Sequence, residues 1–204
     1  MGARVHVLVF DGLADWEAGH ALAELRRSGG LDVAAVGFTT DAVTTMGGLR
    51  ILPDLALTAV VPADVRLLLL PGGDFWEGDY PRAVLDPLLR TLVENQVGVA
   101  AICGATLALA RAGLLDSRRH TSNASDYITQ HVPGYQGRAL YVPDLATRDR
   151  GVITASGLGN VEFAREIFEE LGVLSPADRS LWFDMFKHGK LPPAAEPRGD
   201  GEGR

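Results

Sequence analysis

Val97-Gly98-Val99-Ala100-Ala101-Ile102-Cys103-Gly104-Ala105-Thr106 reads as a strand that ends in a sharp turn and passes into a helix. The apolar run is strand-sized, a helical pattern covers 107–112, and the junction carries the single cysteine of the chain. Ala101, Gly104 and Ala105 crowd the junction with small residues. Strand and helix approach closely in a nucleophile elbow, and only small residues leave that room. A side chain on such a turn projects from the sheet edge at a helix N-terminus. Free backbone N–H groups and the helix dipole favour an anion there. The Cys103 thiol is therefore expected to ionise more easily than that of a free cysteine. A lone cysteine also serves as a small buried hydrophobe, but the elbow favours a functional thiol.

Upstream, Val5-His6-Val7-Leu8-Val9-Phe10 is a short, β-rich apolar run, as expected of a buried strand. Asp11-Gly12-Leu13-Ala14 turns the chain, Asp15 is placed to cap a helix over 15–27, and Ser28-Gly29-Gly30 stops it. Asp32-Val33-Ala34-Ala35-Val36-Gly37 is a second strand, so the chain opens with a parallel β-α-β unit. Val43-Thr44-Thr45 and Leu49-Arg50-Ile51-Leu52, joined by Met46-Gly47-Gly48, form a hairpin. Val65-Arg66-Leu67-Leu68-Leu69-Leu70 is a third core strand, ending in the glycine loop Pro71-Gly72-Gly73-Asp74, and a helix follows over 81–95.

Beyond the elbow, 118–123 is extended and 126–131 forms a short helix. Ala139-Leu140-Tyr141-Val142, Leu145-Ala146-Thr147 and Val152-Ile153-Thr154-Ala155 read as strands. Val161, Ala164, Ile167, Phe168 and Leu171 mark one face of a helix. A last amphipathic helix carries Leu181, Trp182, Met185 and Phe186. The expected organisation is one domain over 1–188 and a flexible C-terminal tail over 189–204. The fold class is α/β, a mostly parallel sheet flanked by helices on both faces, whose site lies at the carboxyl ends of the strands. The segments 11–17, 71–74 and 103–104 share that edge.

The 204 residues are 47% hydrophobic and 22% charged, ordinary for a globular chain, and the formal charge of −7 with scattered basic residues disfavours nucleic acid. One cysteine forms no internal disulfide, which fits a reducing compartment, the cytoplasm. The first apolar run starts without a charged leader and the apolar runs are strand-sized, so neither a signal peptide nor a membrane span is expected. No phosphate loop or G-x-G-x-x-G follows a strand, and no His, Cys and carboxylate cluster has metal-site spacing. Neither cofactor nor metal is expected.

These residues carry a resemblance. Val9-Phe10-Asp11-Gly12 with Asp15-Trp16-Glu17, Leu69-Leu70-Pro71-Gly72-Gly73, Ala101-Ile102-Cys103-Gly104 and Ile153-Thr154-Ala155 with Glu162-Phe163-Ala164 are similar to the ThiJ/PfpI superfamily. The resemblance runs over about 4–188. It implies the flavodoxin-like, class I glutamine amidotransferase-like fold with its nucleophile elbow, and a homodimer. By position it makes Cys103 the nucleophile and Glu17 the acid that meets the thiol. Gly73 and Gly104 become the backbone donors of the oxyanion hole. A protonated Glu17 would donate to the thiolate; a first-turn glutamate also simply favours its helix dipole. The two glycines equally suit plain turn chemistry.

Two departures bear on activity. Gly104 stands where many peptidase-like members have His, and Asn123 stands where many members carry a His after the elbow helix. The segment 156–162 also lacks the late His of the glutaminases. With no Cys-His-Glu triad visible, glutamine and peptide hydrolysis lose ground. His120 and His131 lie near Asn123 in sequence and are candidates to supply a base at the pocket, and His20, one turn beyond Glu17, is a candidate to border it, though a lone His is more often a packing or surface residue.

Two readings follow. In one, the chain is a hydrolase or lyase in which Cys103 adds to a carbonyl-type or amide-type carbon of a small molecule. Glu17 moves protons, as in glyoxalase or isonitrile-hydratase chemistry. In the other, it is a non-catalytic stress or redox sensor oxidised at Cys103. A PfpI-type peptidase or amidotransferase-like protein is a further alternative.

Overall fold

A computed structural model describes residues 3–191. Its elements in chain order are β1 (Arg4–Val9), α1 (Asp15–Arg27), β2 (Val33–Gly37), β3 (Val43–Thr44), β4 (Arg50–Ile51), β5 (Leu55–Ala56), β6 (Val65–Leu70), α2 (Arg82–Glu94) and β7 (Gly98–Ile102). They continue with α3 (Thr106–Arg111), α4 (Tyr127–His131), β8 (Ala146–Asp149), β9 (Val152–Ala155), α5 (Asn160–Leu171) and α6 (Pro176–His188).

A seven-stranded sheet runs in the order β5-β2-β1-β6-β7-β9-β8. Every neighbouring pair is parallel except the β8–β9 hairpin at the edge. Strand order reverses at β1: the chain steps to β2 on one side, then returns to β6 and β7 on the other. Right-handed crossovers then put α1 on one face and α2 on the opposite one. The helices accordingly pack in two groups, α1 with α5 and α6, and α2 with α3 and α4 beyond it. Leu67, Leu68, Leu69 and Leu70 are all fully buried, as are Val99, Ala100, Ala101 and Ile102. A central strand covered on both faces has no polar side, which is why these runs do not alternate.

The central strands β1, β6, β7 and β9 end side by side, with Leu70 opposite Ala101 and Ile102 opposite Ala155. Their following loops are therefore brought to one point. Backbone bonds lock them there: Ala14 N–H donates to Gly72 O at 3.0 Å, and Gly12 N–H to Thr44 O at 2.8 Å. The hairpin β3–β4 forms as expected and is tied down by Asp11, whose carboxylate accepts Thr44 N–H at 2.7 Å.

Several local expectations are corrected. Ala139-Leu140-Tyr141-Val142 is no strand: a 3-10 turn covers Gly137–Leu140, and Tyr141 keeps a single bridge to His120. β9 is paired on both sides by β7 and β8, and 139–142 lies outside the sheet beside His120. Asp15 does not cap α1 but is its first residue, and its carboxylate accepts Gly47 N–H from the hairpin at 2.7 Å. The elbow enters its helix through a 3-10 turn, Cys103–Ala105, which leaves α3 only six residues long. The short edge strand β5 escapes sequence reading because two residues carry no periodicity. Of the expected tail, Gly189 adopts a left-handed conformation that closes α6, and 192–204 lie outside the described residues.

Candidate active site

Ile102 leaves β7 in extended conformation, and Cys103 then takes a φ of +59°. A non-glycine residue there stores strain of about 1–3 kcal/mol unless its surroundings hold it. The hold is visible: Thr106 Oγ1 donates to the Cys103 carbonyl at 2.7 Å and shares a 2.6 Å hydrogen bond with Ser122 Oγ. The turn aims the half-buried thiol at the loops after β1, β6 and β9.

Glu17 reaches the thiol from the first turn of α1. It is 1% exposed, and its Oε2 accepts Gly72 N–H at 2.6 Å. The Cys103 thiol donates to the same carboxylate. Burial pushes the Glu17 carboxyl above its ordinary value, against the pull of the Gly72 and Cys103 hydrogen bonds. Asn123 Nδ2 donates to Sγ at 3.3 Å, while its Oδ1 accepts Gly157 N–H at 3.0 Å. This second bond fixes which way the amide faces, so the sulfur meets a donor.

The thiol itself departs from the sequence expectation. Burial pushes it up, and the Glu17 charge adds to that; the Asn123 amide and the Gly104 N–H pull back without cancelling. The reason is twofold. A six-residue helix entered through a 3-10 turn presents little dipole, and desolvation disfavours the charged form of any thiol. Cys103 and Glu17 titrate as a pair, and the state with both charged is the one the site resists.

Two glycines that sequence reading did not single out as site residues shape the pocket floor. A Cβ on Gly72 would stand 2.5 Å from both Cys103 Cβ and Glu17 Oε2. One on Gly157 would meet Cys103 Sγ at 3.1 Å and Glu17 Oε1 at 3.3 Å. The available signal for Gly157 was its position, two residues after the end of an apolar run that is itself a core strand. Gly73 and Gly104 face each other across the elbow: a Cβ on Gly104 would lie 2.8 Å from Gly73 O. The Gly104 N–H is directed at Sγ.

The candidate histidines make other contacts. His120 is fully buried, with Nδ1 bonded to Arg118 O and Nε2 to Tyr135 Oη. His20 packs edge-on against Trp182 and Phe186. His131 bonds the Tyr127 carbonyl through Nδ1 at 2.8 Å. Among the described residues no group of three or more His, Cys, Asp and Glu is arranged to hold a metal ion. No helix among them is long and apolar enough to cross a membrane.

Comparison with known proteins adds to this geometry. The family model described as DJ-1/PfpI family matches residues 3–170. A Bacillus subtilis protein named Uncharacterized protease YoaZ is 37% identical over 194 residues, covering 92% of each chain. The Glutathione-independent glyoxalase DJR-1.2 of Caenorhabditis elegans is 32% identical over 144 residues, 70% of this chain and 75% of its own. The crystal structure of a thiJ/pfpI family protein from Bacillus anthracis superposes with a TM-score of 0.84 at 35% identity, covering 93% of this chain and 92% of the other.

Proposed function

The chain belongs to the DJ-1/PfpI family, and on that premise we propose that it is a cysteine-dependent enzyme acting on a small carbonyl compound, with Cys103 as nucleophile and Glu17 as proton-transfer group. One observation carries the reading. Asn123 Nδ2 donates to Sγ and the buried Glu17 carboxyl lies against the thiol; of the two, only Glu17 exchanges protons. Amide hydrolysis needs a group that takes the thiol proton and hands it to a leaving amine. Addition to an aldehyde has no leaving group and asks for less.

In the glyoxalase form of this chemistry, the thiol passes its proton to the Glu17 carboxylate and Sγ adds to the aldehyde carbon of a 2-oxoaldehyde. An S–C bond forms, and the carbonyl π electrons become an alkoxide held by the Gly73 and Gly104 amides and then protonated by Glu17. The Glu17 carboxylate, restored by that step, takes the proton from the same carbon and delivers it to the adjacent one, while the hydroxyl proton of the first carbon moves to the oxygen of the second. The product is a thioester of a 2-hydroxy acid, which water cleaves to the acid and the free thiol. The overall balance is substrate plus water to 2-hydroxy acid. The raised carboxyl of Glu17 supports this role, because a proton carrier works best near the ambient pH. The relative named as a glyoxalase supports it as well.

The redox-sensor reading draws on the same thiol, and it leaves unused the proton-exchanging Glu17 beside Cys103. The apolar side chains of Trp16, Met46, Leu49 and Leu158 are exposed on segments around the site, which supports a homodimer. The free thiol of Cys103 supports a reducing, cytoplasmic setting. The test is formation of 2-hydroxy acid from a panel of 2-oxoaldehydes by the wild type and Cys103→Ser. Turnover by the wild type alone is expected. Equal turnover, or none in either, would overturn the proposal.

A further inference from the structure

The two segments that flank the thiol meet again on the rim of the site. Trp76 lies against the elbow glycine, where a Cβ on Gly104 would stand 3.3 Å from its side chain, and Glu77 follows it. Asn123 touches Sγ, and one turn later Tyr127 opens α4. Tyr127 Oη donates to Glu77 Oε1 at 2.9 Å. The His131 ring lies tilted against the Tyr127 ring at 4.7 Å, and its Nε2 stands 3.8 Å from Glu77 Oε2. Tyr127 thus anchors one carboxylate oxygen and His131 of the same short helix stands near the other, yet the Glu77 side chain remains 48% exposed.

A brace between loop and helix would need the tyrosine bond and no more. Here an open carboxylate is anchored by Tyr127 on the residue after Trp76, which lies against the elbow glycine. The nearby cation does not neutralise it: Arg111 donates to the Trp76 carbonyl at 2.6 Å and lies over the Tyr80 ring. The rim is also electrically part of the site, since a charge on Cys103 opposes ionisation of Tyr127, after burial and Glu77 itself.

We propose that Glu77, oriented by Tyr127 and His131, is a substrate-selecting subsite that binds a cationic or hydrogen-bond-donating group carried by an electrophile whose reactive atom meets Cys103. The proposal rests on Cys103 being the nucleophile. An ammonium or hydroxyl group placed beyond the reacting carbon gains a charge-assisted contact. A substrate carboxylate is repelled by Glu77 and, when ionised, by Glu17.

Charged thiol reagents with one common reactive group test this. The probes are 2-aminoethyl, 2-sulfonatoethyl and methyl methanethiosulfonate. In each, the thiolate attacks the sulfenyl sulfur, a disulfide forms and methanesulfinate leaves. Cys103 is the only cysteine, so each rate reports that residue alone. Rates are divided by those of a small free thiol. The wild type is expected to favour the ammonium reagent over the sulfonate. Glu77→Gln should cut that ratio by about three- to fivefold, the scale of a partly exposed charge contact, and leave the neutral methyl reagent unchanged. Tyr127→Phe, which keeps the carboxylate but frees its direction, should lose part of the ratio. An unchanged ratio in both variants with a normal methyl rate would overturn the subsite and leave the nucleophile standing. No reaction of the wild type with any reagent would overturn the nucleophile, and the subsite with it.

Discussion

Asn123 donates its side-chain amide to Cys103 Sγ at 3.3 Å and is held in that orientation by Gly157 N–H. It thus supplies a fixed donor at the place where many relatives are expected to carry a base. Asn123→Ala removes a hydrogen bond that draws the thiol pKa down, and Asn123→Asp adds a charge that pushes it further up. The midpoint of iodoacetamide alkylation against pH should move upward in the order wild type, Ala, Asp. A downward move in either variant would show that the amide does not stabilise the thiolate.

Glu17→Gln should do the opposite to the thiol. Burial and the neighbouring carboxylate both push Cys103 up, so the wild-type midpoint is expected above the free-thiol value of about 8.5. Replacing the carboxylate by an amide removes the repulsion, and the midpoint falls. Any step that needs Glu17 to carry a proton is lost, so alkylation quickens while turnover fails.

The same substitution reads out in stability. Burial sets the Glu17 pKa in the folded protein above its unfolded value. Between the two values the native state holds a proton that the unfolded chain has released. Stability therefore falls as pH rises through that window and levels off above the folded value. Glutamine has no such dependence. The Tm advantage of Glu17→Gln over wild type should grow from pH 4 toward pH 7, about 2–4 °C for each ~1 kcal/mol in a chain of this size. A constant difference across that range would mean that Glu17 is not desolvated.

Gly72 and Gly157 should respond differently to alanine. At Gly72 the new methyl would lie 2.5 Å from Cys103 Cβ and Glu17 Oε2, and the packed loop has little room to yield. Overpacking of about 1–3 kcal/mol is expected in denaturant titration. At Gly157 the closest approach is 3.1 Å, to Sγ. This variant should fold with near-normal stability and show slowed alkylation, because the methyl shields the sulfur.

Light scattering should give twice the chain mass of 21.7 kDa. Trp16→Glu, at a side chain 53% exposed beside Glu17, should shift the equilibrium toward the monomer. A wild-type monomer at micromolar concentration would remove the dimer.

The sequence alone determined the α/β class, the core strands and the elbow. These rest on local signals: uninterrupted apolar runs at 67–70 and 98–102, and small residues around Cys103. It also brought Glu17, Asn123 and the glycine loop into the candidate site, through their place in a resembling pattern. Tertiary structure alone decided three further matters. It made 139–142 a turn rather than a strand, because strand pairing depends on neighbours distant in sequence, and β9 is paired by β7 and β8. It took His120 and His20 into packing contacts, since the direction of a side chain follows from its neighbours across the fold. It reversed the expected shift of the Cys103 thiol. A local pattern announces a helix N-terminus, but burial and the approach of Glu17 come from segments distant in sequence, and desolvation outweighs the dipole of so short a helix.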